Sequence, residues 1–454
     1  MKEKLSSRIG FLMLSAGCAI GIGNVWRFPY VVGQSGGGCF VPIYLLALGL
    51  LGVPVLAMEF AVGRAAQVSL AKAHATLTPD KRWWRLHGAV GLVGVTMLMM
   101  FYTTVAGWMV DYFVKTASGV FVGMGPDRIA AEFGALLADP WIQIAYMGAV
   151  TAVSAGICGI GLVNGLERVT KWMMLALLIL IVALAVNSAL LDGSGKGLRF
   201  YLMPDFARMR AAGVANVVIN AMNQAFFTLS LGIGAMAIFG SYIDRKRTLL
   251  GEAVNVALLD TVVAISAGLI IIPACFAYGI EPGQGPGLVF VTLPNVFNHM
   301  PGGRFWGALF FVFMSFAALS TVLTVFEAII AGLRDYFGWS RRKACVVTGV
   351  GVAVLSLPCV LGFNVWAAFE PLGKGTNVLD LEDFIVSDLL LPAGALVFAG
   401  YCCHRFGWGW KNFIAEVNAG EGVRLPNALR WYCGYVIPVI VLLILVLAVA
   451  RRFA

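Results

Sequence analysis

The first long apolar stretch of the sequence contains an interruption that a plain membrane-spanning helix does not need. Residues 17–29 read Gly-Cys-Ala-Ile-Gly-Ile-Gly-Asn-Val-Trp-Arg-Phe-Pro. The hydrocarbon core offers the backbone no hydrogen-bond partners, so a break at membrane depth persists only where the freed groups line a cavity or hold a ligand. Asn24 and Arg27 add polar groups of the kind that mark substrate or ion pathways. The pattern therefore predicts a binding site within the first segment.

The composition indicates a protein that crosses the membrane many times. Hydrophobic residues make up 60% of the chain, charged residues 12%, and the mean hydropathy is +0.87, which excludes a soluble protein. Eleven apolar runs are long enough to span a bilayer. They lie near 9–33, 38–62, 87–118, 140–157, 169–191, 213–239, 248–279, 304–333, 344–362, 384–403 and 430–450.

The basic residues predict the orientation of these spans. Most of the 32 lysines and arginines fall in loops that share a side with the N-terminus, including those at 72–85, 245–247 and 341–343. The positive-inside rule then puts the N-terminus in the cytoplasm and, with eleven spans, the C-terminus outside. This topology accounts for the net charge of +9, so no nucleic-acid partner is expected.

Other functional classes lack their sequence signatures. The nine cysteines form no C-x-x-C pair, and the four histidines are not spaced as metal ligands. No phosphate-binding loop is present, and no nucleophile and base converge as in an enzyme. The chain is therefore predicted to be neither an enzyme nor an ATP-driven pump.

A second break occurs half a chain later, at residues 223–234, which read Asn-Gln-Ala-Phe-Phe-Thr-Leu-Ser-Leu-Gly-Ile-Gly. Breaks in spans one and six predict an inverted repeat of five spans each, with ligands bound between the two interrupted helices. The repeats would cover about 8–191 and 213–403 within a core of 1–403. Residues 404–454 would supply a cytoplasmic loop and the eleventh helix. Glycines such as Gly17 and Gly21 have an alternative role in close helix packing.

Several motifs resemble the neurotransmitter:sodium symporter family. They are Arg8-Ile-Gly-Phe, Gly-Ile-Gly-Asn-Val-Trp-Arg-Phe-Pro-Tyr at 21–30, Gly36-Gly-Gly, Gly52-Val-Pro with Glu59, and Phe227-Thr-Leu-Ser-Leu-Gly. The resemblance is to the short prokaryotic branch of eleven helices, whose members carry amino acids inward with sodium. It implies an all-α polytopic membrane protein with the leucine-transporter-like fold, helices 1 and 6 unwound at mid-membrane, in the cytoplasmic (inner) membrane of a prokaryote.

The resemblance implies two sodium sites made only of oxygen ligands, as hard cations prefer. The first would be formed, together with the substrate carboxylate, by Ala19, Asn24, Thr228 and Asp260. The second would use backbone carbonyls and two hydroxyls, from Gly17, Ile20, Ala317, Ser320 and Thr321. An alternative for the two hydroxyls is that they bond only to the preceding helical turn.

The resemblance also implies a site for an amino acid against the two breaks. Its carboxylate would lie near Gly21, Gly23 and Tyr102, and its ammonium near carbonyls around Phe227, Thr228 and Ser230. The side-chain subsite would be lined without charge by Leu98, Tyr102, Phe227, Ile233, Thr321 and Val325, which favours a hydrophobic L-amino acid. Relatives that carry monoamines have an aspartate in place of Gly21, so the glycine favours a substrate with its own carboxylate.

Two gates follow from the same resemblance. On the outer side Arg27 would face Asp383 over Phe227 and Tyr102. On the inner side Asp335 would pair with Lys2, close to Ser241 and Tyr242. The family's tryptophan near this gate is Leu5 here, and its helix-5 proline is Leu175, which puts the usual inward release route in question.

The predicted function is sodium-coupled import of aliphatic or aromatic L-amino acids by alternating access, with two sodium ions. No chloride requirement is expected, because chloride-dependent relatives have a neutral asparagine where this chain has Asp260. Glu59 and Glu327 are read as structural carboxylates, with proton carriage as the alternative. A membrane sensor or channel that uses the same pocket without coupled transport is the alternative function.

Overall fold

The computed structural model describes residues 4–279 and 287–453, and this part of the chain is almost entirely helical. We number its helices in chain order: α1 Arg8–Ala19, α2 Gly23–Gln34, α3 Phe40–Ala66, α4 Leu70–Leu77, α5 Arg82–Ser118, α6 Pro126–Ala138, α7 Pro140–Ile160, α8 Leu162–Ala189, α9 Ser194–Leu202, α10 Phe206–Ala211, α11 Val214–Thr228, α12 Ala235–Gly240, α13 Leu249–Ala277, α14 288–299, α15 Gly303–Phe337, α16 Arg341–Leu361, α17 Val378–Cys403, α18 Trp410–Val417 and α19 Asn427–Ala450.

Nine of the described helices are long and apolar enough to cross a membrane, namely α3, α5, α7, α8, α13, α15, α16, α17 and α19. A tenth crossing is formed by α1 and α2, which meet at an angle of 56°. The predicted sixth span consists of α11 and α12, and neither of these reaches span length alone because residues 229–234 separate them. The two discontinuities fall in the two spans where the sequence predicts them.

The boundaries of the second break differ from the prediction. The sequence suggests an interruption from residue 223, but α11 continues to Thr228, and the irregular backbone covers only 229–234. Ser230 has φ of +50°, while Gly232 and Gly234 have φ of +99° and +76°. These values lie in the left-handed region, where only glycine is unstrained, so the Gly-Ile-Gly pattern permits the turn. Residues 223–228 remain helical and do not adopt a left-handed backbone conformation.

Burial separates a central group of helices from a peripheral one. Within the apolar windows, 78% of residues are buried in α15, compared with 28% in α8 and in α19. The long central helix α15 packs along α5 and also contacts α1, while α19 packs on α17 at the edge. The broken helices α1 and α11 are therefore surrounded by protein, which supplies partners for backbone groups that lipid would leave unpaired.

A buried carboxylate satisfies part of the second break. Glu59 of α3 is fully buried, and its Oε1 accepts a hydrogen bond of 2.5 Å from the backbone N–H of Gly232. A side chain on Gly232 would overlap the Leu391 carbonyl and lie 2.9 Å from the backbone nitrogen of Ala395. The interpretation of Glu59 as a structural carboxylate predicts such a contact with the interrupted backbone.

The shorter helices α4, α6, α9, α10 and α14 are not predicted by the sequence analysis. They lie between the spans and are too short or too amphipathic to register as apolar runs. The pseudo-symmetric division into two repeats stays a prediction.

Candidate binding site between the two broken helices

One carboxylate connects the two breaks. Asp260 of α13 is fully buried. Its Oδ1 accepts a hydrogen bond of 2.7 Å from the Asn24 amide in the first broken helix. Its Oδ2 accepts one of 2.9 Å from the Thr228 hydroxyl at the second break, and the Tyr44 hydroxyl lies 3.5 Å away. The structure thus brings together three of the four residues predicted for the first sodium site.

The fourth predicted residue, Ala19, is the last residue of α1. Ile20 follows it in an extended conformation, with ψ of 101°, so the helical hydrogen-bond pattern stops here. Asn24 bends back across this turn, and its Oδ1 accepts a hydrogen bond of 3.1 Å from the Gly21 N–H. A carbonyl oxygen has two lone pairs, so Asn24 Oδ1 keeps one for a further partner.

A second group of oxygens lies where α1 meets α15. The Thr321 hydroxyl lies 3.2 Å from the carbonyl oxygens of both Gly17 and Ile20, and 3.4 Å from that of Ala317. The Ser320 hydroxyl lies 2.9 Å from the Ala317 carbonyl. All five residues predicted for the second sodium site therefore converge. The Thr321 contacts cross from one helix to another, which bonding to the preceding turn alone does not explain.

Glycines keep the backbone of the first break accessible. A Cβ atom on Gly21 would overlap the Tyr102 hydroxyl and lie 2.7 Å from Thr321 Oγ1, and one on Gly23 would lie 2.8 Å from Cδ1 of Phe227. Tyr102 itself accepts a hydrogen bond of 2.9 Å from the Ile22 N–H. Tyr102 and Phe227, predicted to contact substrate, therefore lie directly against the glycine-rich turn.

A cavity of about 460 Å³ opens above this turn, beyond the C-terminal end of α1. Its lining is mostly aromatic and apolar, with charged groups toward its mouth: Ile22, Gly23, Trp26, Arg27, Tyr30, Phe101, Tyr102, Val105, Phe227, Phe363, Gly375, Asn377, Leu379, Asp380 and Asp383. Such a mixture of apolar walls and a few convergent polar groups is typical of small-molecule sites.

Arg27 and Asp383 both line this cavity, but in the described part of the chain no ion pair joins them. The Arg27 guanidinium lies 4.3 Å from the centre of the Phe227 ring. Asp383 accepts a hydrogen bond of 2.5 Å from the Ser387 hydroxyl. The two predicted gate residues thus line one cavity and have other partners, Phe227 and Ser387.

The remaining predicted substrate residues do not line this cavity, and all of them are buried except Ser230, which is half-buried. Leu98, Thr228 and Val325 are buried below it, and Ser230 lies in the second break. Ile233 packs instead against Gly91 and Gly94 of α5 and borders two smaller cavities on the other side of the break. Its placement does not favour contact with a ligand in the large cavity.

The opposite end of the molecule, where the N-terminal segment lies, is packed. Asp335 accepts a hydrogen bond of 2.6 Å from the Ser69 N–H. The Tyr242 hydroxyl donates to Glu327, at 2.7 Å, and Glu327 forms a buried ion pair of 2.6 Å with Arg341. The Ser241 hydroxyl donates to the Ile238 carbonyl. Lys2, the predicted partner of Asp335, lies outside the described residues.

The sequence analysis missed several contacts, two at this end of the molecule and one between the two broken helices. Glu167 of α8 accepts hydrogen bonds from Ser6, from its N–H at 2.8 Å and from its hydroxyl at 2.6 Å. Arg8 forms an ion pair of 2.9 Å with Glu252. The Gln224 amide donates to the Gly23 carbonyl, at 3.2 Å, and so links the two broken helices. Gln224 belongs to the motif at residues 223–234, so its position could have indicated a role at the break. No motif near Glu167 indicates that it contacts the N-terminal segment.

Comparisons with known proteins identify the family of the chain. The sequence model of the sodium:neurotransmitter symporter family matches residues 2–121 and 141–453. The chain is 32% identical over 441 residues to an uncharacterized sodium-dependent transporter, YhdH of Bacillus subtilis (strain 168), covering 97% of this chain and 96% of that one. An uncharacterized sodium-dependent transporter of Haemophilus influenzae is 32% identical over 460 residues, covering 98% of each.

A solved structure is also similar over nearly the whole chain. It is the crystal structure of MhsT in complex with L-phenylalanine, with a TM-score of 0.88 and 34% identity. The similarity covers 99% of this chain and 100% of that one. It confirms the fold class that the family resemblance implies.

Proposed function

The chain belongs to the sodium:neurotransmitter symporter family, and on this premise we propose that it imports hydrophobic L-amino acids together with sodium ions. It is a membrane transporter and not an enzyme. The observation that carries the proposal is the buried Asp260 carboxylate, hydrogen-bonded to Asn24 beside one break and to Thr228 at the other. A cation at this point would contact both halves of the site at once.

The substrate class is inferred from the lining of the large cavity. Its lining includes Ile22 and Gly23 of the first break together with Tyr102 and Phe227, and its two carboxylates, Asp380 and Asp383, come from α17. α2 begins at Gly23, which lines the cavity, and the positive end of its helix dipole favours an anion there, as helix N-termini do. Phe101 and Val105 offer apolar surface above. A zwitterion with an apolar side chain matches this arrangement, and L-phenylalanine is the ligand in the similar structure of MhsT.

We propose two sodium ions, one at each oxygen group. The donor sets consist only of carboxylate, amide, hydroxyl and carbonyl oxygens, which suits a hard cation. Asp260 supplies a fixed negative charge near the first ion and the substrate ammonium, so a mobile chloride is not needed for charge balance. The second ion would bind between α1 and α15 and couple their separation to sodium release.

The two ends of the molecule support alternating access. The cavity reaches Phe227 and Tyr102 from one side, while Glu167, Arg8 and Asp335 make contacts that close the other. We propose that Arg27 and Asp383 approach each other when the outer passage closes, and that the Ser6–Glu167 and Ser69–Asp335 contacts break when the inner one opens. The outer and the inner contacts would then form in turn, while the binding site between the broken helices stays in place.

The proposed orientation has the N-terminus in the cytoplasm and the C-terminus outside, in a prokaryotic inner membrane. The concentration of lysine and arginine in the loops at 72–85, 245–247 and 341–343 supports it. With the cavity at the other end, the site in this structure would face the exterior. The proposed repeats cover about 8–191 and 213–403.

Uptake into proteoliposomes tests the proposal. Labelled phenylalanine, leucine and tryptophan should accumulate above the external concentration under an inward sodium gradient, and not when choline replaces sodium. Lysine and glutamate serve as charged controls and should not accumulate. A channel would equilibrate the substrate without accumulation, and a sensor would bind it without uptake, so either result would replace the symport mechanism.

A further inference from the structure

A second apolar cavity opens on the flank of the molecule, away from the site described above. It has a volume of about 210 Å³ and lies between the beginning of α5 and the middle of α17. Trp83, Leu86 and Val90 line it from α5, and Ala393 and Val397 line it from α17. Trp83 and Leu86 are 60% and 69% exposed in the described structure. Side chains of this kind on the outside of a membrane protein contact lipid.

Two arginines adjoin the lining residues of this cavity in the chain: Arg82 precedes Trp83, and Arg85 lies between Trp84 and Leu86. Arg82 and Arg85 are exposed, and neither forms an ion pair in the described part of the chain. Arg82 lies one turn before Leu86 on the same helix face, so charge gives way to apolar surface within one turn. Trp83 stacks on Trp84, with ring centroids 3.9 Å apart, and tryptophan is enriched at membrane interfaces.

The floor of the cavity is the second helix break. Gly232 and Ile233 line it, together with Gly394 of α17. A Cβ atom on Gly394 would overlap the Gly232 carbonyl, so α17 packs directly on the irregular backbone. Any molecule that fills the cavity therefore touches the turn that separates α11 from α12.

We propose that this cavity binds an acyl chain of an anionic phospholipid, whose phosphate is held by Arg82 and Arg85. The lining is apolar apart from His87 and suits a hydrocarbon chain. Arg82 and Arg85 have no carboxylate partner among the described residues, although Arg85 donates a hydrogen bond of 3.2 Å to the Pro79 carbonyl, and their charges favour a negative headgroup. Basic residues beside a helix at the cytoplasmic surface interact with the anionic lipids of that leaflet. The bound chain supports the backbone at Gly232 and Ile233.

Native mass spectrometry of the delipidated, detergent-purified protein tests this proposal. The protein is titrated with phosphatidylglycerol or with phosphatidylcholine of the same acyl composition. The first lipid adduct should form at lower concentration with phosphatidylglycerol. Each basic residue near an anionic surface contributes about a fivefold gain in affinity, so Arg82→Gln with Arg85→Gln should weaken phosphatidylglycerol binding roughly 25-fold at low ionic strength.

The matched charge control is Arg342→Gln with Lys343→Gln, which removes two exposed cations at the start of α16, away from the cavity. It should leave phosphatidylglycerol binding unchanged. Because both double variants change only exposed residues, folding should be unaffected, and equal thermal unfolding midpoints check this. Equal losses in the two double variants, or equal affinity of the wild-type protein for both lipids, would overturn the proposal.

The cavity itself is tested by Ala393→Phe, which fills it, compared with Ala183→Phe at an exposed position of α8. Only the first should remove the high-affinity adduct. Inorganic phosphate at the same concentration should not displace phosphatidylglycerol; displacement would indicate a site for soluble anions. Retention of the adduct in a folded Ala393→Phe protein would also contradict a bound acyl chain.

Discussion

The guanidinium of Arg27 lies 4.3 Å from the centre of the Phe227 ring. A cation over an aromatic face is attracted by the ring, by roughly 0.5–1 kcal/mol at exposed sites and about 2 kcal/mol when desolvated. This attraction is comparable with that of an exposed ion pair, so a change of partner from Phe227 to Asp383 would cost Arg27 little free energy. The open passage and a closed form with Arg27 paired to Asp383 can therefore be close in free energy.

Neutralising the outer gate should abolish uptake. Asp383→Asn keeps the size of the side chain and its contact with Ser387 but removes the charge that attracts Arg27. We expect sodium-driven uptake to fall to background. A charge swap, Arg27→Asp with Asp383→Arg, should restore only part of it, because the geometry of an arginine pair is particular.

The matched control for this gate is Asp380→Asn, one turn earlier in α17. Asp380 lines the same cavity but accepts a hydrogen bond of 2.9 Å from the Asn377 N–H in a helix cap. An asparagine oxygen can still accept this bond, so uptake should persist. Wild-type uptake in Asp383→Asn, or an equal loss in Asp380→Asn, would exclude a specific gate at Asp383.

A carboxylate at Gly21 should abolish amino-acid binding. In Gly21→Asp, two like charges about 4 Å apart repel by about 4 kcal/mol at an effective dielectric near 20, which corresponds to roughly a thousandfold loss of affinity. Scintillation proximity binding of labelled phenylalanine or leucine measures the loss. Phenethylamine, which lacks the carboxylate, should be affected less.

Steric effects are separated by Gly21→Ala. A Cβ atom here would crowd Tyr102 and Thr321, so some loss is expected in this variant too. The difference in phenylalanine affinity between Gly21→Asp and Gly21→Ala therefore measures the effect of the added charge. Equal affinities for phenylalanine in Gly21→Asp and Gly21→Ala would mean that the substrate carboxylate does not lie beside Gly21.

The second sodium site can be tested with two threonines on α15. The Thr321 hydroxyl contacts carbonyls of α1, whereas the Thr324 hydroxyl bonds within its own helix, at 2.8 Å to Ser320 and 2.9 Å to the Thr321 carbonyl. Interactions of a hydroxyl with a charged group contribute about 1.5–3 kcal/mol, so Thr321→Val should weaken sodium activation roughly 10- to 100-fold. Thr324→Val should change it little. The sodium concentration for half-maximal uptake measures both, and equal effects would contradict a second ion at Thr321.

The backbone features of this site were predictable because glycine and helix-breaking patterns act locally. The breaks at 20–22 and 229–234 are caused by glycines and polar residues within a few positions of them. Because unpaired backbone groups are costly in a membrane, such a break indicates a binding site. Pairings between distant residues were predictable only where the family resemblance supplied them. Asn24, Thr228 and Asp260 come together as the resemblance implies.

Contacts at the two ends of the molecule could not be predicted in the same way. They depend on the conformation of the protein, and one sequence is compatible with more than one conformation. The family resemblance implies that Arg27 and Asp383 pair, but nothing in the sequence indicates that no ion pair joins them in the described structure. Glu167 and Ser6 are separated by 161 positions, and nothing local links them. Ile233 was expected to face substrate, yet the left-handed glycines on either side turn it toward Gly91 and Gly94.

Transport should require sodium but not chloride, and Asp260 is the reason. Uptake should persist when gluconate replaces chloride, because this buried carboxylate already supplies a negative charge between Asn24 and Thr228. Removing one partner from a buried charge pair costs about 3–5 kcal/mol, so Asp260→Asn should weaken sodium affinity by roughly a hundredfold or more. Added chloride should not substitute for the lost charge, because Ala264 of this chain has no hydroxyl group to donate a hydrogen bond to the anion. The control is Asp111→Asn on α5, where the carboxylate pairs with Lys115 at 3.3 Å, away from the site. Sodium activation curves in chloride and in gluconate decide the matter: loss of wild-type uptake in gluconate would show that a mobile anion, and not Asp260, balances the charge.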